Sequence, residues 1–494
     1  MKNYLMAIDA GTGSVRAVLF DLKGNQIGCS QHEWTHNEDP RFPGSMDFDW
    51  KYNWELASGC VRNVLAETKI DPAEIAAIST TCMREGILLY DKDGNEIWAC
   101  ANVDARSNDE VAELIRMNPD LELELYKKSG QSYALNAIPR ILWVKNNMPD
   151  IYEKTAKIGM FNDWLIYKLT GVLAVEPSNG STTGLLDLQT RTWDTEIAAK
   201  CNLRTDIFPD ILECGSISGK VTAKGASETG LAEGTPVVVG GGDCQLGTIG
   251  VGACKPGEAA VFGGSFWQYE FNTESGKTDP YGRVRVNCHA VPGVWQYEAL
   301  AFKPGLVMRW FRDGFCQEEK RKAKEIGDDP YNLMNQAAEK IPAGCYGMMC
   351  CFSDIMNFIN WKHAAPTFTN FELLPEKFNK YTFYRSILEN TAMLVKGHIE
   401  LVKEATGNMP SEIIFAGGAS KSPLWSQILA DVLGMPVRVP VVKEATALGA
   451  AIIAGYGVGL YSSIEEGAKR TVKWDKVFTP NTDNRKVYDD LYET

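Results

Sequence analysis

The sequence has no apolar stretch long enough to span a membrane and no signal-peptide pattern, so it reads as neither an integral membrane protein nor a secreted one. Its 5 histidines show no metal-ligand spacing. Its 13 cysteines are scattered without paired metal spacing. Cys345, Cys350 and Cys351 come closest together, and they read as buried thiols beside a strand. Such cysteine usage fits a reduced cytoplasm. Long blocks of like charge are missing, and the net charge is −13, which argues against nucleic acid or anionic membrane as the main partner. There is no GxSxG and no Ser-His-Asp arrangement, and the glycine-rich segments lack the full GxGxxG pattern.

What the chain does have is ordinary globular composition over 494 residues, 45% hydrophobic and 23% charged, enough for two or three domains with sizeable cores. The most informative segment is residues 4–20. An apolar run delivers Asp9, a turn of Gly11, Thr12, Gly13 and Ser14 follows, and a second apolar run carries Arg16. Small residues let backbone N–H groups approach an anion, and the two hydroxyls add donors. A carboxylate repels a phosphate unless a cation stands between them, so Asp9 implies Mg²⁺. The segment reads as a strand–turn–strand that holds nucleotide phosphates through a metal; an ordinary hairpin with a glycine turn is the plain alternative.

The rest of the pattern alternates strands and helices. Gln26–Trp34 continues a meander, residues 50–68 have helical periodicity, and Ile75–Thr81 reads as a buried strand. Gly86–Tyr90 and Glu96–Ala101 form a hairpin, and 108–170 reads as mostly helical. Pro236–Gly242 is a strand running into Gly240-Gly241-Gly242-Asp243. The opening pattern then returns in Ala259–Phe262, the turn Gly263-Gly264-Ser265, and Phe266–Phe271. A third glycine turn, Gly417-Gly418-Ala419-Ser420, follows Ser411–Phe415; Ser422 caps the next helix, Pro423 opens it and Gly434 ends it. The fold class predicted is α/β, with two similar halves facing each other across a central cleft. The boundary is placed between 246 and 247, giving domains 1–246 and 247–494, with a glycine-rich hinge over 247–257.

These parts suit phosphoryl transfer from a nucleotide, which is mainly positioning and charge neutralisation. Gly11–Ser14 and Gly263–Ser265 are candidate phosphate cradles, with Arg16 supporting the first. Met83-Arg84-Glu85-Gly86 ends a strand with a cation and an anion suited to vicinal hydroxyls, although such a pair is commonly a surface salt bridge. Asp243, unshielded by the glycines before it, is a candidate general base, or else a turn Asp bonding its own backbone. Gly417 and Gly418 before a helix N-terminus suit adenosine or its phosphates.

Taken together, these residues resemble the FGGY carbohydrate kinases of the sugar kinase/actin-like superfamily, over nearly the whole chain. Asp9 through Arg16 is similar to the first phosphate motif, and Phe262-Gly-Gly-Ser-Phe-Trp267 to the second. Asp104-Ala-Arg106, Ile138-Pro-Arg-Ile-Leu-Trp143 and Gly305 through Asp313 also match family segments. Two positions depart from the pattern: Gly264 stands where many relatives have Thr, and Arg140 where Lys is usual. The resemblance implies two ribonuclease-H-like domains and an ATP- and Mg²⁺-dependent kinase. It implies Asp243 as the base, and Arg84, Glu85 and Asp243 as acceptor ligands with Trp267 as an apolar wall. It implies Asp9 and Asp243 as metal carboxylates. Gly11, Thr12, Gly13, Ser14, Arg16, Gly263, Gly264, Ser265, Gly305, Arg309, Gly417, Gly418 and Ser422 are the implied nucleotide contacts.

Within the family the chain is most similar to the bacterial autoinducer-2 kinases, through Pro43–Asp49 (with Asp47 where Glu is common), Met83–Gly86, Trp98–Arg106, Pro177–Asn179, Thr183–Leu188, Met308–Asp313 and His363–Pro366. This implies dihydroxypentanedione as acceptor. A pentulose or hexulose kinase is the rival within the class, and an actin- or chaperone-like ATPase the rival outside it. The partner expected is a small sugar-like molecule, with no nucleic acid and no membrane; a homodimer is compatible with the reading.

Overall fold

The computed structural model describes residues 2–361 and 365–494. Of the His363–Pro366 stretch quoted above, His363 and Ala364 therefore lie outside the described residues. The chain forms two compact units, each built from separate pieces: Met1–Pro256 with Asn272–Gln296 and Val442–Val472, and Gly257–Phe271 with Tyr297–Val441 and Lys473–Thr494.

In the first unit the strands Tyr4–Ala10, Ser14–Asp21 and Gln26–Glu33 form an antiparallel meander. Ile75–Cys82 then pairs parallel with Tyr4–Ala10, and Pro236–Gly242 parallel with Ile75–Cys82. Strand Ile217–Lys220 closes that edge antiparallel. Parity explains why the first two strands read as apolar runs rather than as alternating ones. Met6, Ile8, Ala10, Val15, Ala17 and Leu19 face one core cluster, which Trp54, Val61 and Trp164 share. Leu5, Ala7, Val18 and Phe20 face a second cluster with Leu246, Ala447, Ala450 and Ala454. The sheet is covered on both faces.

The second unit repeats the plan. Ala259–Gly263 and Trp267–Thr273 are antiparallel, Trp295–Ala301 lies beyond them, and Ile413–Ala416 and Val437–Pro440 add parallel strands on the other side. Trp474–Phe478 completes that edge antiparallel. Both units thus place two parallel strands beside a hairpin meander, the order expected for ribonuclease-H-like domains.

Most predicted elements are found within a residue or two: Trp50–Thr68 is a helix, Ile75–Cys82 is buried throughout, and Ser422 caps Pro423–Leu433 through the Trp425 N–H, with Gly434 left-handed at its end. Two readings change. Inside the helical stretch 108–170, Lys157–Met160 is a strand paired with Ile87–Tyr90. It is four residues long, too short to show a period, and its Gly159 lies against the Tyr90 ring. The stretch 247–257, read as a hinge, contains the break between the units after Pro256 but begins inside the helix Asp243–Gly250. A Cβ on Gly250 would stand 1.8 Å from the Ala445 carbonyl oxygen, and one on Gly449 1.9 Å from that of Leu246. These glycines let Asp243–Gly250 and Ala445–Gly457 pack backbone to backbone, which is a rigid function.

Gly250→Ala should therefore lower stability by about 2 kcal/mol or more, the cost of overpacking. Gly314→Ala, in a helix with nothing within 4 Å of the added Cβ, should leave stability unchanged or slightly raised. Thermal unfolding of the two variants checks both; equal melting temperatures would contradict this account of the packing.

Candidate active site

The first cluster lies at the ends of the parallel strands of the first unit. Arg16, Asp9, Thr81 and Gly241 are register partners in one row across four strands. Residues directly opposite share a face, and Asp9 has the parity of Leu5 and Ala7, which face the helix Ala445–Gly457. Glu444 is the N-cap of that helix. Arg16 joins the two acids: its Nε is 3.4 Å from Asp9 Oδ2, and its Nη1 donates to Glu444 Oε2. Asp9 is 5% exposed, and burial pushes its carboxyl up to about 7. Arg16 opposes that shift, while Asp243 and Glu444 add to it.

Asp243 begins the helix after Pro236–Gly242. Its Oδ1 accepts from the Cys244 N–H at 2.8 Å and lies 3.5 Å from Arg84 Nε. Its side chain is 39% exposed, against 6% for Arg84. The preceding glycines answer to backbone contacts. A Cβ on Gly240 would lie 1.7 Å from Thr80 O, and one on Gly242 would meet Gln245 Oε1 at 2.6 Å and the Arg84 stem at 3.1 Å. Small residues here allow the strands to close and Arg84 to pass beside Asp243.

The Gly11–Ser14 turn is tied down through its carbonyls. Trp34 Nε1 donates to Gly11 O at 3.0 Å, the Trp34 N–H to Gly13 O at 3.1 Å, and His36 Nε2 lies 2.7 Å from Thr12 O. An added Cβ on Gly13 would meet nothing within 4 Å, so space is open at that point. Thr12 Oγ1 accepts from Asn102 Nδ2 at 2.9 Å, and Asn102 O accepts from Arg140 Nη2 at 2.7 Å. Arg140 also donates to Glu85 O. One buried arginine therefore links the turn to the Arg84-Glu85 segment. Arg106, which resembled a family position, bridges Asp104 and Asp47.

In the second unit a cavity of about 700 Å³ is lined by Gly263, Gly264, Ser265, Gly305, Arg309, Gly418 and Ser422. Residues from three separate motifs, with the helix cap Ser422, thus meet at one hole. Gly417 lies beneath it, its Cβ direction 2.7 Å from Gly263 O. Gly305 allows the closest approach: a Cβ there would sit 2.0 Å from Gly264 O. Arg309 Nη2 is 3.4 Å from Ser265 Oγ.

Trp267 is placed otherwise than the sequence suggested. It is 1% exposed, with its ring 4.7 Å from that of Trp425 and 5.1 Å from that of Phe415. It fills the core of the second unit and offers no surface as a substrate wall. The strand begins at Trp267, opposite Gly263, and its indole turns inward.

The FGGY carbohydrate kinase N-terminal domain model matches residues 4–250, and the corresponding C-terminal domain model matches 272–458. The chain belongs to the FGGY family of carbohydrate kinases. As a member of that family it is an ATP-dependent carbohydrate kinase. It is 50% identical over 487 residues to the autoinducer-2 kinase of Yersinia enterocolitica, covering 98% of this chain and 92% of that one. Its fold is shared with the xylulose kinase of Rhodospirillum rubrum, with a TM-score of 0.88 at 23% identity over 99% and 97% of the two chains. It is shared too with a ligand-bound xylulose kinase of Lactobacillus acidophilus, with a TM-score of 0.87 at 21% identity over 99% and 96%.

Several residues of this FGGY kinase's clusters were not legible in the sequence. Arg285 Nη2 lies 2.7 Å from Glu85 Oε1, yet the two are far apart in the chain and Arg285 sits in an unremarkable strand, Arg285–Cys288. Glu444 was read only as a helix start. Tyr331, Asn332, Asn335, Tyr384 and Lys421 line the second unit's cavity. Asp329, which caps the helix carrying Tyr331 through the Tyr331 N–H, was the available signal there. Among the described residues no helix is long and apolar enough to cross a membrane.

Asp9 is raised from 3.8 to about 7, so the folded kinase binds a proton there that the unfolded chain has released. Its contribution to stability falls as pH rises from about 4 to about 7 and then levels off. Asp9→Asn has no such charge to bury. The variant's stability relative to wild type, without nucleotide or metal, should climb across that window by as much as roughly 4 kcal/mol. Unfolding midpoints of both proteins between pH 5 and 8 check this; a constant difference would contradict it.

Proposed function

We propose that this kinase transfers the γ-phosphoryl group of ATP to a hydroxyl of dihydroxypentanedione, the linear precursor of autoinducer-2. The observation that carries the acceptor assignment is the 50% identity, over 98% of the chain, with an autoinducer-2 kinase. The Arg84–Asp243 contact and the Glu85 carboxylate held by Arg285 support the chemistry.

Asp243 is the general base. Its side chain is partly exposed and positioned by an arginine at 3.5 Å, so it can take the proton that leaves the acceptor hydroxyl and become the neutral acid. Arg84 and Glu85 orient neighbouring oxygens of the acceptor, one by donating and one by accepting. Gly11, Thr12, Gly13 and Ser14 cradle phosphate, with Arg16 behind them. Gly263, Gly264, Ser265, Gly305, Arg309, Gly417, Gly418 and Ser422 hold the nucleotide; the shared cavity supports this set. Ser265 supplies the hydroxyl that Gly264 lacks. The donor set suits Mg²⁺: Asp9 and Asp243 are hard oxygen ligands, and Asp9 is a buried acid raised by two other acids, which a cation would relieve. When bound, Mg²⁺ neutralises phosphate charge. Residues 1–246 carry the acceptor and first phosphate motif and 247–494 the nucleotide set, while Arg285 and Glu444 fold into the first unit.

Asp243→Asn should lose roughly 10²–10⁴-fold in turnover while still binding ATP. Full turnover in that variant would sink the base assignment. In ADP-release assays, dihydroxypentanedione should exceed xylulose, ribulose and glycerol in kcat/KM by at least about tenfold, ~1.4 kcal/mol of discrimination. If a common ketose or glycerol wins, the acceptor assignment fails and the carbohydrate kinase remains.

A further inference from the structure

Glu85 is gripped from both ends. Its φ of +66° is a left-handed conformation in a non-glycine residue, which persists only where the surroundings impose it. Arg140 donates to its carbonyl oxygen, and Arg285 Nη2 lies 2.7 Å from its carboxylate. Arg140 is 3% exposed and Arg285 1%. Arg285 is itself braced: its Nε donates to Gln131 Oε1 at 2.9 Å, and Gln131 Nε2 donates to Asn287 Oδ1 at 3.0 Å and to Val286 O at 3.1 Å. The strand that carries it is docked by Tyr126, whose hydroxyl donates to Val284 O at 2.5 Å, and by Ser181 Oγ, which accepts from the Cys288 N–H at 3.2 Å. A buried cation is costly unless paired, so Arg285 and Glu85 fix each other.

Each of the two acids has a guanidinium against it: Arg84 lies against Asp243, and Arg285 against Glu85. We propose that Arg285 is a positioning and specificity residue of the acceptor site: it aims Glu85 and cancels its charge, so that the site takes an uncharged polyhydroxy or hydrated dicarbonyl acceptor and turns away a carboxylate-bearing one. This rests on the assignment of Glu85 to the acceptor. With Arg285 in place, one Glu85 oxygen is committed to the guanidinium and the other accepts from an acceptor hydroxyl. Without it, the Glu85 carboxylate loses its direction and its counter-charge together.

The test compares Arg285→Met, Glu85→Gln and the double variant, with dihydroxypentanedione and D-gluconate as acceptors. Arg285→Met should raise KM for the dione at least tenfold, with kcat within threefold and KM for ATP within twofold of wild type. Glu85→Gln removes a negative charge from the acceptor site and should raise the gluconate-to-dione ratio of kcat/KM at least tenfold. In the double variant the two effects on the dione should combine to less than a third of their product, because the residues act as one unit. Fully multiplicative effects, an unchanged gluconate ratio, or an equal rise in KM for ATP would overturn the proposal. If Glu85→Gln leaves the dione KM untouched, the assignment of Glu85 to the acceptor fails; if Glu85→Gln acts and Arg285→Met is silent, only the role of Arg285 fails. Should Arg285→Met not fold, the double variant, which buries no unpaired charge from this couple, carries the comparison with Glu85→Gln.

Discussion

The parallel pairing of Ile75–Cys82 with a strand on each side is the constraint from which the first unit's chemistry follows. Parallel neighbours end together, so Asp9, the Arg84-Glu85 segment and Asp243 all emerge at one end of the sheet. Gly240 makes this possible, because its backbone lies where a side chain would collide with Thr80 O. Open α/β sheets bind ligands beyond the carboxyl ends of their strands for this reason. The family's chemistry needs carboxylates and an arginine within reach of one phosphoryl group, and the sheet delivers them from distant parts of the chain.

Charge is then sorted by burial. Asp9 sits deep, under the helix that begins at Glu444, and burial disfavours its ionised form. Asp243 sits shallower, 39% exposed and 3.5 Å from Arg84 Nε. Two acids that flank the central strand Ile75–Cys82 thereby have different environments, one buried and one partly exposed. The apolar residues on both faces of Tyr4–Ala10 hold the sheet against the cost of burying Asp9, each fully buried Leu, Ile or Met contributing roughly 1.5–3 kcal/mol.

The second unit uses the same strand order for another purpose. Its glycine turn at Gly263–Ser265 is pressed against Gly305 and Gly417, and the cavity beside it is lined by these glycines together with polar side chains and aromatic rings. Trp267, which a sequence motif places near substrate, serves this packing from below. A strand–turn–strand pattern reports the turn reliably and the direction of the next side chain poorly, since direction depends on register.

How much was legible follows from range. The chain alone determined the strands, the caps, the glycine turns and the family, because period, turn chemistry and motif spacing act over a few residues. Asp9, Arg84, Asp243 and the Gly263 turn all lie in such local patterns. Tertiary structure decided the rest. Arg285 meets Glu85, and Glu444 meets Arg16, across hundreds of residues, and nothing in either local sequence marks the encounter. Gly250, read as part of a flexible stretch, proved to be a contact, since a glycine's role is set by what approaches it. Local chemistry says which groups a chain can offer; only packing says which of them touch.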